Sequence, residues 1–585
     1  MSPRTSMNGQ AGDGRLRFLK AFFALALLGL AGRLVDLALE PDAVSRVAAA
    51  PVAEPWTAGG RIEVVDRNGV LLATDYPKVS VFADPAEILD PTRAARRLGE
   101  VLADVDPGTL AAALRRSTRF VWVKRHISED EQRAVMRLGL PGIKLRTERH
   151  RIYPQGRLVS HALGFVGIEN QGLAGLERSL EDRMRGSGAG AAPLRLTIDV
   201  RVQEIVRSVL AQARSRFQAK GASGLVLEIG SGQVIGMVSL PDFDPHRVDR
   251  AAADARFNRN TQGTYELGSV FKLFTVAMAL DAGIVDISGG LDASQPFEFG
   301  RHRIRDFHAK RRWLSVPEII AFSSNIGAAR MADALGAEAQ RAYFQDLALL
   351  DRHGIRLPEV GRPQIPVPWR PINTITASYG HGLAVSPLQV ADALAALLCS
   401  APARPAHLLL DAPPAAREAA VVRPEVSMML RWLMWLVVSE GTGKLAHVDG
   451  YLVGGKTGSA DQAGPSGYRD GRLLSSFIGA FPIDRPRYVV LVTLDRPQGD
   501  AATHQQAHGG WTAAPAVGRI IARIGPLLGI EPRADQAEPW FRARLVEDRA
   551  YSPRLGRDEP SFKIAKGATW DAIWPGEDRC GCPPC

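Results

Sequence analysis

The stretch TYELGSVFKLFTVAMAL, residues 264–280, restricts this chain more than any other. Within 270–280 only Lys272 and Thr275 are polar, and Gly268 and Gly283 bracket the run as a helix start and a helix end. The pattern predicts a buried helix. An ammonium ion in such a helix is costly unless it is paired or gives up its proton. Ser269 stands three residues before Lys272, on the same helical face. A serine hydroxyl is a poor nucleophile without a base, and a lysine whose pKa is lowered by burial or by a second cation is such a base. At a helix N-terminus the backbone N–H of Ser269 can also face a developing oxyanion. Taken alone, S-x-x-K more often means a core helix whose Lys leans to the surface.

Two distant stretches offer partners. In AFSSNIGAA, 321–329, Ser323 and Asn325 can project together from a turn between helices. A hydroxyl there relays a proton to a leaving amine, and a carboxamide holds both Lys272 and a substrate amide. A helix cap explains the same residues. In VGGKTGSA, strand alternation puts Lys456 and Gly458 on one face and Thr457 on the other. The flanking glycines let a ligand approach the strand edge, and Lys456 and Thr457 offer a cation and a hydroxyl to a carboxylate. A glycine-rich edge strand or a phosphate-type loop is the plainer meaning.

The order of parts gives these stretches a frame. RIEVVDRNGVLLATD, 61–75, reads as a hairpin turning at Asn68-Gly69. Residues 76–190 mix short strands, charged helices and turns, and RGSGAGAAP, 185–193, is a linker. Asp199 caps an amphipathic helix, and SGLVLEI and VIGMVSL form a hairpin around GSGQ. Helices are expected from about 269 to 440, strands at YLVGGKTGSA, SSFIGAFP and RYVVLVTL, and a last helix over about 514–528. Strands at both ends and helices between them predict an α+β module: one antiparallel sheet with a helical subdomain inserted.

The N-terminus is apolar over 21–32, too short to span a bilayer. Extension to 18–39 suffices if Lys20 and Arg33 snorkel, and Arg15, Arg17 and Lys20 before the run leave the N-terminus cytoplasmic. The rival is a cleaved signal, but Ala48-Ala49-Ala50 lies too far beyond the apolar run. The formal charge of +10 over 585 residues suits an anionic membrane surface, and the absence of a dense Lys/Arg block with interleaved aromatics argues against nucleic acid. Cys399 reads as a buried structural thiol, and Cys580, Cys582 and Cys585 as a disordered Gly/Pro tail rather than a soft-metal site. No metal or cofactor is expected. His308 and His381 are read as structural.

Ser269-x-x-Lys272, Ser323-x-Asn325 and Lys456-Thr457-Gly458 together resemble the three motifs of penicillin-recognising serine acyl-transferases. RIEVVDRNGVLLA, YPQGRLVSHALGFVGIENQGLAGLE, ITASYGHGLAVSPLQVADALAAL and GWTAAPAVGRIIARIGPLLGIEP narrow this to class B penicillin-binding proteins, best the septal, FtsI-type members, over roughly residues 15–532. The resemblance implies a penicillin-binding transpeptidase fold behind an elongated mixed pedestal domain and one transmembrane helix. The parts are then a cytoplasmic tail 1–17, an anchor 18–39, a pedestal 55–185, a transpeptidase domain 194–530 and a largely disordered extension 531–585.

By the same resemblance, Ser269 attacks the penultimate D-Ala carbonyl of a peptidoglycan stem peptide and Lys272 takes its proton. The backbone N–H groups of Ser269 and Ser459 form the oxyanion hole, Ser323 protonates the departing D-Ala, and Lys456 and Thr457 hold its carboxylate. Lys456 is expected to help depress the pKa of Lys272. An amine of a second stem peptide completes the cross-link, and β-lactams acylate the same serine. A periplasmic catalytic domain on the inner membrane, working at the septum with a division glycosyltransferase and other divisome membrane proteins, is implied. The family has Pro where Leu267 stands and Thr where Val270 and Ser459 stand, and none of these departures removes a catalytic group. The rival readings are an elongation-type transpeptidase, a serine β-lactamase or carboxypeptidase, and a non-catalytic division scaffold or β-lactam sensor.

Overall fold

In a computed structural model, residues 20–32, 60–116, 118–185, 191–462 and 472–533 are described. The chain divides into two compact units, one made of residues 79–148, the other of 61–78 and 149 onward. Residues 20–32 are helical and exposed along their whole length. Among the described residues no helix is long and apolar enough to cross a membrane. The remainder of the expected anchor, 18–19 and 33–39, and the cysteines at 580, 582 and 585 lie outside the described residues.

The smaller unit packs three helices on a short antiparallel sheet. Asp90 and Asp106 cap helices Pro91–Val101 and Pro107–Leu114, each with Pro at its start, and Ser128 and Glu131 form a capping box on Glu129–Leu138. Val81, Ala83, Leu98, Leu110, Leu114 and Ile127 are its core.

The larger unit begins with the expected hairpin. Val64 and Val65 pair antiparallel with Ala73 and Leu71, and the Asp66 carboxylate accepts the backbone N–H of Asn68 and Val70 at 2.8 Å, with Gly69 at φ +86°. Behind it Arg61 and Arg151 both donate to the buried Glu177 carboxylate at 2.7 Å. Asp199 then caps helix α1 (Val200–Arg216), accepting from Arg201 N–H at 2.9 Å.

The central sheet is antiparallel. Its strands are β1 (Gly221–Glu228), β2 (Val234–Leu240), β3 (Gly454–Asp461), β4 (Leu473–Phe481) and β5 (Tyr488–Asp495), in the order β3-β4-β5-β1-β2. β1, β2 and β5 are buried almost throughout because both faces are covered, so their sequences run apolar instead of alternating. Val206 and Leu210 of α1 and Ile520 and Ile524 of the last helix (Ala513–Leu527) cover one face.

The chain between β2 and β3 covers the other face. It contains α2 (Lys272–Asp281), α3 (Asn325–Leu335), α4 (Pro387–Leu398) and α5 (Pro424–Ser439). It is not purely helical, as the sequence had suggested. Strands Gly290–Asp292 and Trp313–Ser315 pair, as do Phe297–Phe299 and His302–Ile304. Each is three residues long, too short for an alternating pattern to register. Phe274, fully buried and in edge contact with Phe271 at 5.3 Å, is central to this layer. Phe274→Ala should lower unfolding free energy by about 3–5 kcal/mol, measured by chemical denaturation.

Candidate active site

The three distant stretches meet at one amine. Gly268–Phe271 forms a tight turn and Lys272 begins α2, so Ser269 stands one turn ahead of the lysine. Lys272 Nζ lies 3.1 Å from Ser269 Oγ and 3.1 Å from Ser323 Oγ. It also lies 2.5 Å from the Ser323 carbonyl and 2.6 Å from Asn325 Oδ1. The last two oxygens can only accept, whereas the hydroxyls can also donate. An uncharged amine has two N–H bonds and one lone pair. Its N–H bonds fit the two carbonyl oxygens, which leaves the lone pair for a hydroxyl.

Burial sets the protonation. Lys272 is 1% exposed, and desolvation pulls its pKa down to about 7 against a small upward pull from Asp306. Lys456 is fully buried and held well below its ordinary value, first by desolvation and then by Lys272. Burial is the first cause for both amines, and the repulsion between them, which acts on each, adds to it.

Ser323 connects the amines, since Lys456 Nζ donates to its Oγ at 2.9 Å. Its backbone is left-handed, with φ +59°, which costs a non-glycine residue on the order of 1 kcal/mol. That conformation accompanies a carbonyl aimed at Lys272. The helix cap, the plainer meaning of Ser323 in the sequence, is made by its neighbour. Ser324 Oγ accepts from Gly327 N–H at 3.0 Å and donates to Asp306 at 2.8 Å, and Asp306 also accepts from Ile326 N–H at 2.9 Å. Asn325 donates to the Arg305 carbonyl at 3.0 Å, which fixes Oδ1 toward Lys272.

Lys456, Thr457, Gly458 and Ser459 lie on β3, an edge strand paired antiparallel with β4. The phosphate-loop spacing is met by Gly450, Gly455, Lys456 and Thr457, but these residues enter a sheet edge rather than open a helix. Register puts Lys456 and Gly458 opposite Ile478 and Ser476, and Thr457 opposite Phe477, as alternation requires. Lys456 Nζ nevertheless curls back to within 3.3 Å of Thr457 Oγ1, which also meets Thr442 Oγ1 at 2.8 Å. Ser459 Oγ accepts from Gly509 N–H at 3.0 Å.

Close backbone approach explains the glycines. A Cβ on Gly458 would come within 2.2 Å of Ser476 Oγ and 2.5 Å of the Leu267 carbonyl. Gly268, at φ +56°, lies against the Ser459 carbonyl. Thus β3 and the Gly268–Phe271 turn touch through main chain. All eight residues singled out from the sequence sit in this region. Asp306 and Thr442 were missed, because neither belongs to a spaced pattern. His381 lies 3.2 Å from Glu266 and His308 packs on Phe307.

With this geometry in view, known proteins can be set beside it. The family described as "Penicillin binding protein transpeptidase domain" matches residues 222–522, and "Penicillin-binding Protein dimerisation domain" matches 57–192. Fold and site together define a penicillin-recognising protein with an N-terminal dimerisation-type module. The chain belongs to the class B penicillin-binding proteins. It is 38% identical to the probable peptidoglycan D,D-transpeptidase FtsI of Caulobacter vibrioides, over 82% of this chain and 83% of that one. It is 32% identical to the probable peptidoglycan D,D-transpeptidase PenA of Neisseria meningitidis, over 89% and 94%. The fold matches the crystal structure of penicillin binding protein 3 of Mycobacterium tuberculosis, complexed with aztreonam, with a TM-score of 0.65 at 21% identity, over 82% of this chain and 98% of that one.

Acylation of Ser269 by labelled penicillin should rise as pH passes through about 7, because the neutral fraction of Lys272 rises there, and level off above it. Asn325→Asp sets a carboxylate where Oδ1 now lies 2.6 Å from Nζ. The added negative charge favours the ammonium form, so the rising limb should move to higher pH in a stopped-flow pH–rate profile.

Proposed function

We propose that this protein is a membrane-anchored peptidoglycan D,D-transpeptidase that cross-links stem peptides in septum synthesis. The observation that carries the reading is the meeting of Ser269, Ser323, Asn325 and Lys456 around the buried amine of Lys272. The names of the relatives, probable peptidoglycan D,D-transpeptidases, agree with the activity in this reading.

In this reading the Ser269 hydroxyl adds to the penultimate D-Ala carbonyl while its proton passes to the Lys272 lone pair. The oxyanion is held by the backbone N–H groups of Ser269 and Ser459. Collapse breaks the amide bond. The leaving D-Ala nitrogen takes a proton through Ser323, which touches both lysines. Lys456, with Thr457 beside it, holds the D-Ala carboxylate. An amine of a second stem peptide then attacks the acyl-enzyme, releases Ser269 and forms the cross-link. A β-lactam follows the same first step, and its leaving nitrogen stays tethered. Gly458 lets the turn that carries Ser269 lie against β3.

We further place the protein in the inner membrane through residues 18–39, with the N-terminus cytoplasmic and the catalytic domain periplasmic. Its partners in this reading are a division glycosyltransferase and other membrane proteins of the division machinery. The basic flank Arg15, Arg17 and Lys20 and the apolar run after it support this topology.

Ser269→Ala should abolish penicillin labelling and cell-wall function while recruitment to midcell persists. Labelling of the wild-type chain should outlast many minutes. Rapid turnover of the drug would point to a lactamase, and unimpaired growth of the Ala variant to a scaffold.

A further inference from the structure

A groove of about 770 Å³ opens on the larger unit where the first turns of α1, the segment 154–158 and the end of the last helix come together. Its apolar lining includes Leu158, Ile205 and Leu527. Four arginines, Arg157, Arg201, Arg207 and Arg523, stand around that lining. The acids nearby do not neutralise all of them. Asp199 pairs with Arg201 at 2.7 Å and Asp242 with Arg207 at 2.6 Å, both carboxylates being buried. Arg157 reaches Asp242 only at 3.9 Å, and Arg523 has no carboxylate partner among the described residues. Glu204 is the remaining acid in the lining. The groove suits a ligand that carries both apolar bulk and negative charge.

We propose that it receives the segment 570–578 of the same chain, WDAIWPGED. Trp570, Ile573 and Trp574 supply apolar and aromatic surface, and Asp571, Glu577 and Asp578 supply three negative charges with no Lys or Arg among them. Tryptophan faces also attract guanidinium groups. Counted with Arg579, which directly follows, residues 570–579 carry a net charge of −2, whereas the nearer stretch 534–544 sets Asp535 and Glu538 against Arg542 and Arg544 and is neutral.

Position favours an occupant from the same chain. The last described residue is Arg533, only a few positions beyond Leu527 in the groove lining. Residues 534–569 separate that point from the segment, a length of chain that suffices to return to the groove, and attachment to the same chain raises the segment's effective concentration there. The groove shares no residue with the Ser269–Lys272 site.

The test uses the full chain with Glu204→Cys on the groove wall, Cys582→Ser and Cys585→Ser, leaving Cys580 just past the segment. Under mild oxidation, peptide mass spectrometry should find an intrachain disulfide between positions 204 and 580. Changing Asp571, Glu577 and Asp578 to Lys should reduce its yield about tenfold. Adding Arg157→Glu and Arg523→Glu should restore it. Penicillin labelling of Ser269 in every variant reports that the domain is folded. The proposal is overturned by the absence of this disulfide in labelled protein, by its formation only between two chains, or by a yield that charge reversal leaves unchanged.

Discussion

The site depends on keeping one amine uncharged in a dry place. Nothing about a helix running through apolar core favours an ammonium ion, and Lys272 is almost wholly removed from water. Two carbonyl-type oxygens take its N–H bonds, and neither is a carboxylate that would keep it protonated. The nearest charge that pulls the other way, Asp306, spends its oxygens on Ser324 and Ile326 N–H. Above a pH of about 7 the lysine thus keeps its lone pair in most molecules, at hydrogen-bond distance from the Ser269 hydroxyl.

Much of the surrounding chain can be understood as the means of holding that arrangement. Two cores, one on each face of the sheet, fix β3 at its edge, and the nucleophile turn packs directly against that edge. Glycine at 268 and 458 permits contact between backbones that any Cβ would push apart. Division of labour in Ser323-Ser324-Asn325 is equally physical. Ser324 satisfies the helix end, which frees its neighbours to face the amine, and the strained backbone of Ser323 is retained because its carbonyl and hydroxyl both serve Lys272. Two buried lysines side by side disfavour double protonation, so a proton added to one is more easily lost by the other.

The parts of the structure that sequence reveals are those governed by local rules. The Asn68-Gly69 hairpin, the Asp199 cap and the long apolar strands follow from turn chemistry, capping and burial. The residues that meet around Lys272 emerged only from three weak motifs taken together, since each has a commoner structural meaning. What escaped was set by tertiary contact. The three-residue strands between 290 and 315 carry too few positions for periodicity. Asp306 and Thr442 act through partners far away in sequence or outside any motif. How far each of the two amines is depressed depends on its burial, which no spacing encodes.

The most direct measurement is the protonation of Lys272 itself. Side-chain NMR of a protein labelled at lysine, assigned through a Lys272→Arg variant, would follow its Nζ through a pH titration of the unacylated enzyme. A midpoint near 7 is predicted. A midpoint near the ordinary 10.5 would show a permanent ammonium ion beside Ser269, and the serine would then need another base.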